Sequence, residues 1–151
     1  MNISSARILI VDDDPLMLVL VADTLRQIGI RNVQKCPDGK AGLTAVAKFQ
    51  PHLILSDIHM APMSGLEFVK KLRAIPDRAL AATKVIFMTA DASKETLGEA
   101  LPLGIRGYII KPPTVEQVEA KLKDARRQGR FDPKNLASGA ADIALAMAAA
   151  S

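Results

Sequence analysis

Cysteine, aromatic side chains and long apolar runs are all scarce in this chain of 151 residues. Cys36 is the one cysteine, there is no tryptophan, and aromatics make up 3% of the sequence. A lone cysteine excludes a disulfide within the chain and points to a reducing compartment. With so few rings, the core has to be built from Val, Ile, Leu, Met and Ala. No stretch reaches the length of a membrane span, and Met1 to Ala6 is short and polar rather than a signal peptide. The expected location is cytoplasmic. The Gly-rich dinucleotide fingerprint and the Walker pattern are missing as well, which argues against those nucleotide enzymes.

What is present suits one compact domain with some extra length. Hydrophobic residues make up 49% and charged residues 24%, with a net charge of +4. The charge is uneven. Lys121, Lys123, Arg126, Arg127 and Arg130 gather near the end of the expected fold. They read as a solvated helix face with cations at its C-terminus. The alternative is a patch for an acidic partner, a nucleotide or nucleic acid.

Short continuous apolar runs recur and read as strands covered on both faces. They are Arg7–Val11, Leu53–Leu55, Val85–Met88 and Tyr108–Ile110. The more polar Asn32–Lys35 suits an edge strand. Helical patterns lie between them. Asp14-Pro15 opens the first, which stops near Gly29. Asp38 caps a second through Phe49, closed by Pro51. Ser64-Gly65-Leu66-Glu67 is a capping box for the third. A fourth runs from about Ser93 to Leu103, with Pro102 ending or kinking it. Thr114-Val115-Glu116-Gln117 is a second capping box. Five alternations predict an α/β fold of flavodoxin-like (βα)5 type, a doubly wound parallel sheet of order 2-1-3-4-5. Residues 1–128 are expected to form this domain. Residues 129–151 form an Ala-rich tail, expected as a short docking helix or a frayed end.

The strand ends carry the chemistry. Asp12, Asp13 and Asp14 follow strand one, Asp57 ends strand three, Thr89 ends strand four and Lys111 follows strand five. A parallel sheet brings all of these to one edge, where such folds bind ligands. Clustered carboxylates repel one another, and a hard divalent cation such as Mg²⁺ relieves the conflict through oxygen ligands. An adjacent ammonium and hydroxyl add the positioning and charge neutralisation that phosphoryl transfer needs.

Taken together, Ile-Val-Asp12-Asp13, Leu-Ser-Asp57-Ile-His-Met, Met-Thr89-Ala90 and Tyr108-Ile-Ile-Lys111-Pro112 resemble the response-regulator receiver family of two-component signalling, in its chemotaxis-type single-domain form. The resemblance covers about residues 6 to 128. It implies that Asp57 accepts a phosphoryl group and that Asp13 binds Mg²⁺ directly, with Mn²⁺ able to substitute. Asp12 acts mainly through water, and the backbone carbonyl of His59 is the third protein ligand. Thr89 and Lys111 meet phosphoryl oxygens, the Lys111–Pro112 bond is cis, and Tyr108 is an aromatic switch coupled to Thr89. His59 and Asp91 flank the site and tune phosphoryl lifetime, while the small Ala90 leaves it open to donors.

The implied partners are a histidine kinase or histidine phosphotransfer protein, an output protein, and a second copy through the fourth helix, fifth strand and fifth helix. In the first helix Met17, Leu20, Val21, Leu25 and Ile28 form the expected core stripe. Leu16 and Val19 point the other way with Leu18 on the flank, and these three are expected to dock the phosphodonor. No separate substrate is expected to be turned over. A phosphatase using an Asp-x-Asp motif is disfavoured because His59 stands in the second acid's place. After Pro113 one helix and the tail remain, too little for an output domain. A receiver fragment of a longer regulator would look the same. Nucleic-acid binding through Arg126 and Arg127 is the less favoured alternative, and no membrane is expected as a partner.

Overall fold

The computed structural model describes residues 3–91 and 93–127. The Ala-rich tail and Arg130 lie outside the described residues. Five parallel strands form one sheet in the order β2-β1-β3-β4-β5, the expected flavodoxin-like arrangement. They are β1 (Arg7–Val11), β2 (Asn32–Cys36), β3 (Leu53–Asp57), β4 (Lys84–Thr89) and β5 (Gly107–Ile110). The helices are α1 (Pro15–Ile28), α2 (Gly39–Phe49), α3 (Gly65–Arg73), α4 (Arg78–Ala81), α5 (Lys94–Ala100) and α6 (Val115–Arg127). The sequence reading missed α4, a single turn capped by Asp77; four residues are too few to show a helical period. The expected fourth helix is therefore α5. It gives way at Pro102 to a 3-10 turn, Leu101–Leu103, closed by the left-handed Gly104.

Local chemistry sets the other boundaries. The Asp14 carboxylate accepts the Leu16 N–H at 3.0 Å, and Gly29 closes α1 at φ 103°. Asp38 accepts the Ala41 N–H at 2.8 Å to start α2. The box at α6 is complete: Thr114 Oγ1 accepts from Gln117 N at 3.1 Å, and Gln117 Oε1 accepts from Thr114 N at 3.3 Å.

Each central strand feeds both faces of the sheet. On one side Leu9, Val11, Ile54, Val85 and Phe87 pack against α2, α3 and α5. On the other Ile8, Ile10, Leu55, Ile86 and Met88 pack against α1 and α6. Every residue of β3 is buried, whereas β2 at the edge is mostly exposed. Two-sided burial explains why the inner strands are continuous apolar runs. α1 departs from the expected stripe. Val21, Thr24 and Leu25 are its buried residues, and Leu20 is 41% exposed. Thr24 takes the inner position because its hydroxyl donates to the Leu20 carbonyl at 2.9 Å, so its polar atom is satisfied within the helix.

A doubly wound fold puts helix C-termini at the amino edge of the sheet, where the last carbonyls need donors. Cations supply them. Arg7 Nε donates to the carbonyls of Phe49 and Gln50, and Lys84 Nζ donates to that of Ala125 at 2.6 Å. Arg73 gathers Leu103 at 2.9 Å, Ala81 at 2.8 Å and Thr83 at 2.7 Å. Burial, with Arg106 nearby, lowers the Arg73 pKa to about 10. Replacing Arg73 by the similarly long but apolar Met strands these acceptors. Arg73→Met should cost about 2–3 kcal/mol, read as a lower denaturant midpoint at unchanged slope.

Candidate functional site at the carboxyl edge of the sheet

The register delivers the site. Val11 pairs with Ser56, Asp57 with Met88, and Thr89 with Ile110. Residues just past each of these positions therefore meet above the same edge. The Lys111 N–H also donates to the Thr89 carbonyl at 2.8 Å, holding the β5 tip to β4.

Lys111 Nζ lies 2.7 Å from Asp12 Oδ2 and 3.1 Å from Asp57 Oδ2. Asp12 is fully buried and Asp57 nearly so, while Asp13 is exposed. One carboxylate oxygen from each of Asp12, Asp13 and Asp57 lies within 4.8 Å of the other two. Such a set of hard oxygen donors fits a divalent metal ion. Asp12 has prior claims on both oxygens: Oδ1 accepts the Asp14 N–H at 2.9 Å and Oδ2 takes Lys111. Asp13 Oδ2 accepts only a long bond from the Ala61 N–H, at 3.3 Å.

Burial pushes the Asp57 carboxyl above the usual carboxylate range and Asp12 adds to this, while Lys111 and the His59 N–H oppose it. Burial also pulls Lys111 down, but its hydrogen bond to Asp12 and the charges of both acids win, and its pKa is raised.

Thr89 is fully buried, and its hydroxyl is engaged with the next loop. Oγ1 donates to the Asp91 carbonyl at 2.7 Å and accepts the Asp91 N–H at 2.9 Å. Ser93 caps α5, and the Asp91 carboxylate braces that cap, accepting the Ser93 N–H at 2.9 Å and the Thr96 hydroxyl at 3.1 Å. Those bonds hold it below its ordinary pKa. His59 Nε2 stands 3.4 Å from Asp91 Oδ2, so the two flanking side chains face each other rather than diverging into solvent. Tyr108 is half-buried against the α2–α3–α5 core. Lys111–Pro112 is cis, as expected, and so is Ala61–Pro62.

The expected docking residues are not all alike. Leu16 is 80% and Val19 60% exposed, but Leu18 is half-buried against the inner core. Leu20, read as core, joins Leu16 and Val19 instead. Residues 16, 19 and 20 follow the i, i+3, i+4 spacing of one helix face. Of the basic cluster, Lys123 pairs with Glu119 at 3.5 Å on the exposed face of α6, and the side chains of Arg126 and Arg127 lie outside the described residues.

Gly65 opens α3 directly after the Ser64 cap. Its N–H donates to the Ile58 carbonyl at 2.7 Å, and a Cβ there would overlap the Asp57 carbonyl oxygen. The loop after Asp57 thus folds back on the strand end by a contact that only glycine permits. A glycine in a capping box is no signal for such an approach.

A family model described as "Response regulator receiver domain" matches residues 8–123. The chemotaxis protein CheY-3 of Vibrio cholerae is 36% identical over 116 residues, which is 77% of this chain and 88% of that protein. A probable chemotaxis protein CheY of Rhizobium etli is 31% identical over 117 residues, covering 78% and 89%. The solved structure of the chemotaxis response regulator CheY4 of Vibrio cholerae superposes with a TM-score of 0.71 at 30% identity, over 80% of this chain and 98% of that one.

The raised Asp57 pKa has a sign that can be tested. The folded carboxyl holds its proton to higher pH than the unfolded one, so its contribution favours folding at low pH and is lost as pH rises from about 3.8 through the folded value. Without divalent cations, Asp57→Asn should therefore gain stability relative to the wild type as pH rises, then level off once pH passes the folded value. Unfolding curves across acid to neutral pH measure it, and a gap that shrinks with pH would contradict it.

Proposed function

Because the chain belongs to the response regulator receiver domain family, we propose that it works as a cytoplasmic phosphoryl acceptor. Asp57 takes the group from a histidine kinase or histidine phosphotransfer protein, and the change switches a partner-binding surface. The observation that carries this reading is the Lys111 bridge between two buried carboxylates, with Asp13 beside them. A lone ammonium offsets only one of the three negative charges of Asp12, Asp57 and Asp13, so the cluster still suits a divalent cation.

Mg²⁺ would be held by Asp13, Asp57 and the His59 backbone carbonyl, with Asp12 acting through water; Mn²⁺ would serve as well. When bound, the ion supplies charge neutralisation to the transferred group. The bonds already made by Asp12 support its indirect role. The Asp57 carboxylate is the nucleophile, and Lys111 stabilises charge on a phosphoryl oxygen. Thr89 has to leave the Asp91 carbonyl before its hydroxyl can donate to the phosphoryl group. That release is the local event which lets Tyr108 move against the core. The His59–Asp91 pair, 3.4 Å apart and partly exposed, lies two residues past Asp57 and Thr89, which supports a role in controlling access of water.

Label from radioactive acetyl phosphate should reach the wild type and not Asp57→Asn. Lys111→Ala and Thr89→Ala should each slow uptake or switching by about tenfold or more. His59→Ala with Asp91→Ala should change the decay of the label without preventing its uptake. Equal labelling of Asp57→Asn would overturn the reading.

The exposed face of Leu16, Val19 and Leu20 supports α1 as the place where the protein donor docks. Leu16→Asp with Val19→Asp should slow transfer from that donor about tenfold or more, while uptake from acetyl phosphate stays normal. Ile110, 46% exposed at the end of β5, supports the α5–β5–α6 surface for the output protein or a second copy. Ile110→Glu should show the converse pattern, with normal transfer and weakened output binding.

A further inference from the structure

A second surface lies at the far end of α1 from Asp14. Between that helix and β2 runs a groove of about 880 Å³ whose lining includes Ala22, Arg26, Ile30, Arg31, Val33 and Lys35. Ile30 is buried in its floor, Ala22 and Val33 are half-buried, and Arg26, Arg31 and Lys35 stand exposed on its walls. The floor is therefore aliphatic and the walls cationic. Asp23, which meets Arg26 at 3.5 Å on the exposed helix surface, is a weak counterweight.

The groove borders a free strand edge. β2 ends the strand order, and no strand lies beyond it among the described residues. Asn32 to Cys36 pair in parallel with Arg7 to Val11, and the Asp12 N–H donates to the Cys36 carbonyl at 3.1 Å. Alternation then turns the backbone groups of Asn32, Gln34 and Cys36 toward β1, and those of Val33 and Lys35 outward. The Val33 N–H turns locally to the Arg31 carbonyl at 3.1 Å. The Val33 carbonyl and both Lys35 backbone groups remain facing out, beside the cationic walls.

We propose that this edge and groove receive an extended acidic segment of a partner protein, added to β2 as a sixth strand. Main-chain bonds to Val33 and Lys35 would set its register. Acidic side chains would meet Arg26, Arg31 and Lys35, and alternating aliphatic ones would cover Ala22, Ile30 and Val33. Nucleic acid fits less well. It calls for a longer run of phosphate contacts and for stacking rings, and the groove offers three cations and no aromatic residue. Ala22 and Arg26 line it from α1, and at 1.5 Å rise they lie about 12 and 18 Å along the helix from Asp14. Occupancy of one end need not exclude the other.

A short labelled peptide of alternating Glu and Val tests this by fluorescence anisotropy against the full chain. Binding should saturate and weaken with added salt. Arg31→Glu with Lys35→Glu should weaken it about tenfold or more. The same peptide N-methylated at alternate residues should fail to bind, because it lacks the donors for strand pairing. An unchanged thermal midpoint establishes that the variant is folded, and Arg26→Gln with Arg31→Gln provides a milder second variant. Equal binding by both charge variants, equal binding by the N-methylated peptide, or tighter binding of a single-stranded oligonucleotide would each overturn the proposal. None of these readouts involves Asp57, so they stand apart from the phosphoryl reading.

Discussion

The carboxyl edge depends on one contact, the Lys111 ammonium lying between Asp12 and Asp57. Two carboxylates buried this close could not both stay ionised unaided. The ammonium makes the pair tolerable and in turn has its own proton held more tightly. It also ties together the tips of β1, β3 and β5, three strands that are not all neighbours. Balance is incomplete, since three acids face one cation. This residual negative charge, on hard oxygen donors, fits the edge to a divalent metal ion.

The opposite edge uses the reverse arrangement. Helices that begin above the site expose N–H groups there, and Asp14 and Ser93 accept them. At the amino edge α2, α6, α4 and the turn after α5 end with carbonyls that need donors, and Arg7, Lys84 and Arg73 supply them. Charge is thus sorted along the strand direction by the polarity of the helices. Arg73 and Lys84 both have lowered pKa values, burial being the main cause, which shows how far they are drawn in.

α1 carries three different surfaces. Val21, Thr24 and Leu25 close the core, Leu16, Val19 and Leu20 form an exposed apolar face, and Ala22 and Arg26 line the groove beside β2. The apolar pattern of the helix is ambiguous because seven of its residues from Leu16 to Ala22 are apolar without a break. Hydrophobic spacing alone assigned Leu20 to the core and left Leu18 on the docking face. Packing reversed both, since the buried arc centres on Val21 and admits Thr24, whose hydroxyl bonds within the helix.

Much of this molecule was legible in one dimension. Two-sided apolar runs, caps at Asp14, Asp38 and Thr114, and the polar β2 led to the five-stranded order. The spacing of Asp12, Asp13, Asp57, Thr89 and Lys111 then led to a shared edge, because residues at corresponding strand ends must converge in a parallel sheet. Other features were beyond reach. Engagement of the Thr89 hydroxyl by Asp91, the His59–Asp91 approach and the close contact under Gly65 depend on loop paths that no periodicity encodes. The Arg73 clamp and the cationic groove join residues far apart in the chain. Sequence by itself determined which chemical groups reach the sheet edge, since register follows from burial pattern. Which of those groups touch, and which helix face stays open, was decided only when the helices packed, because contact and exposure are properties of neighbours in space.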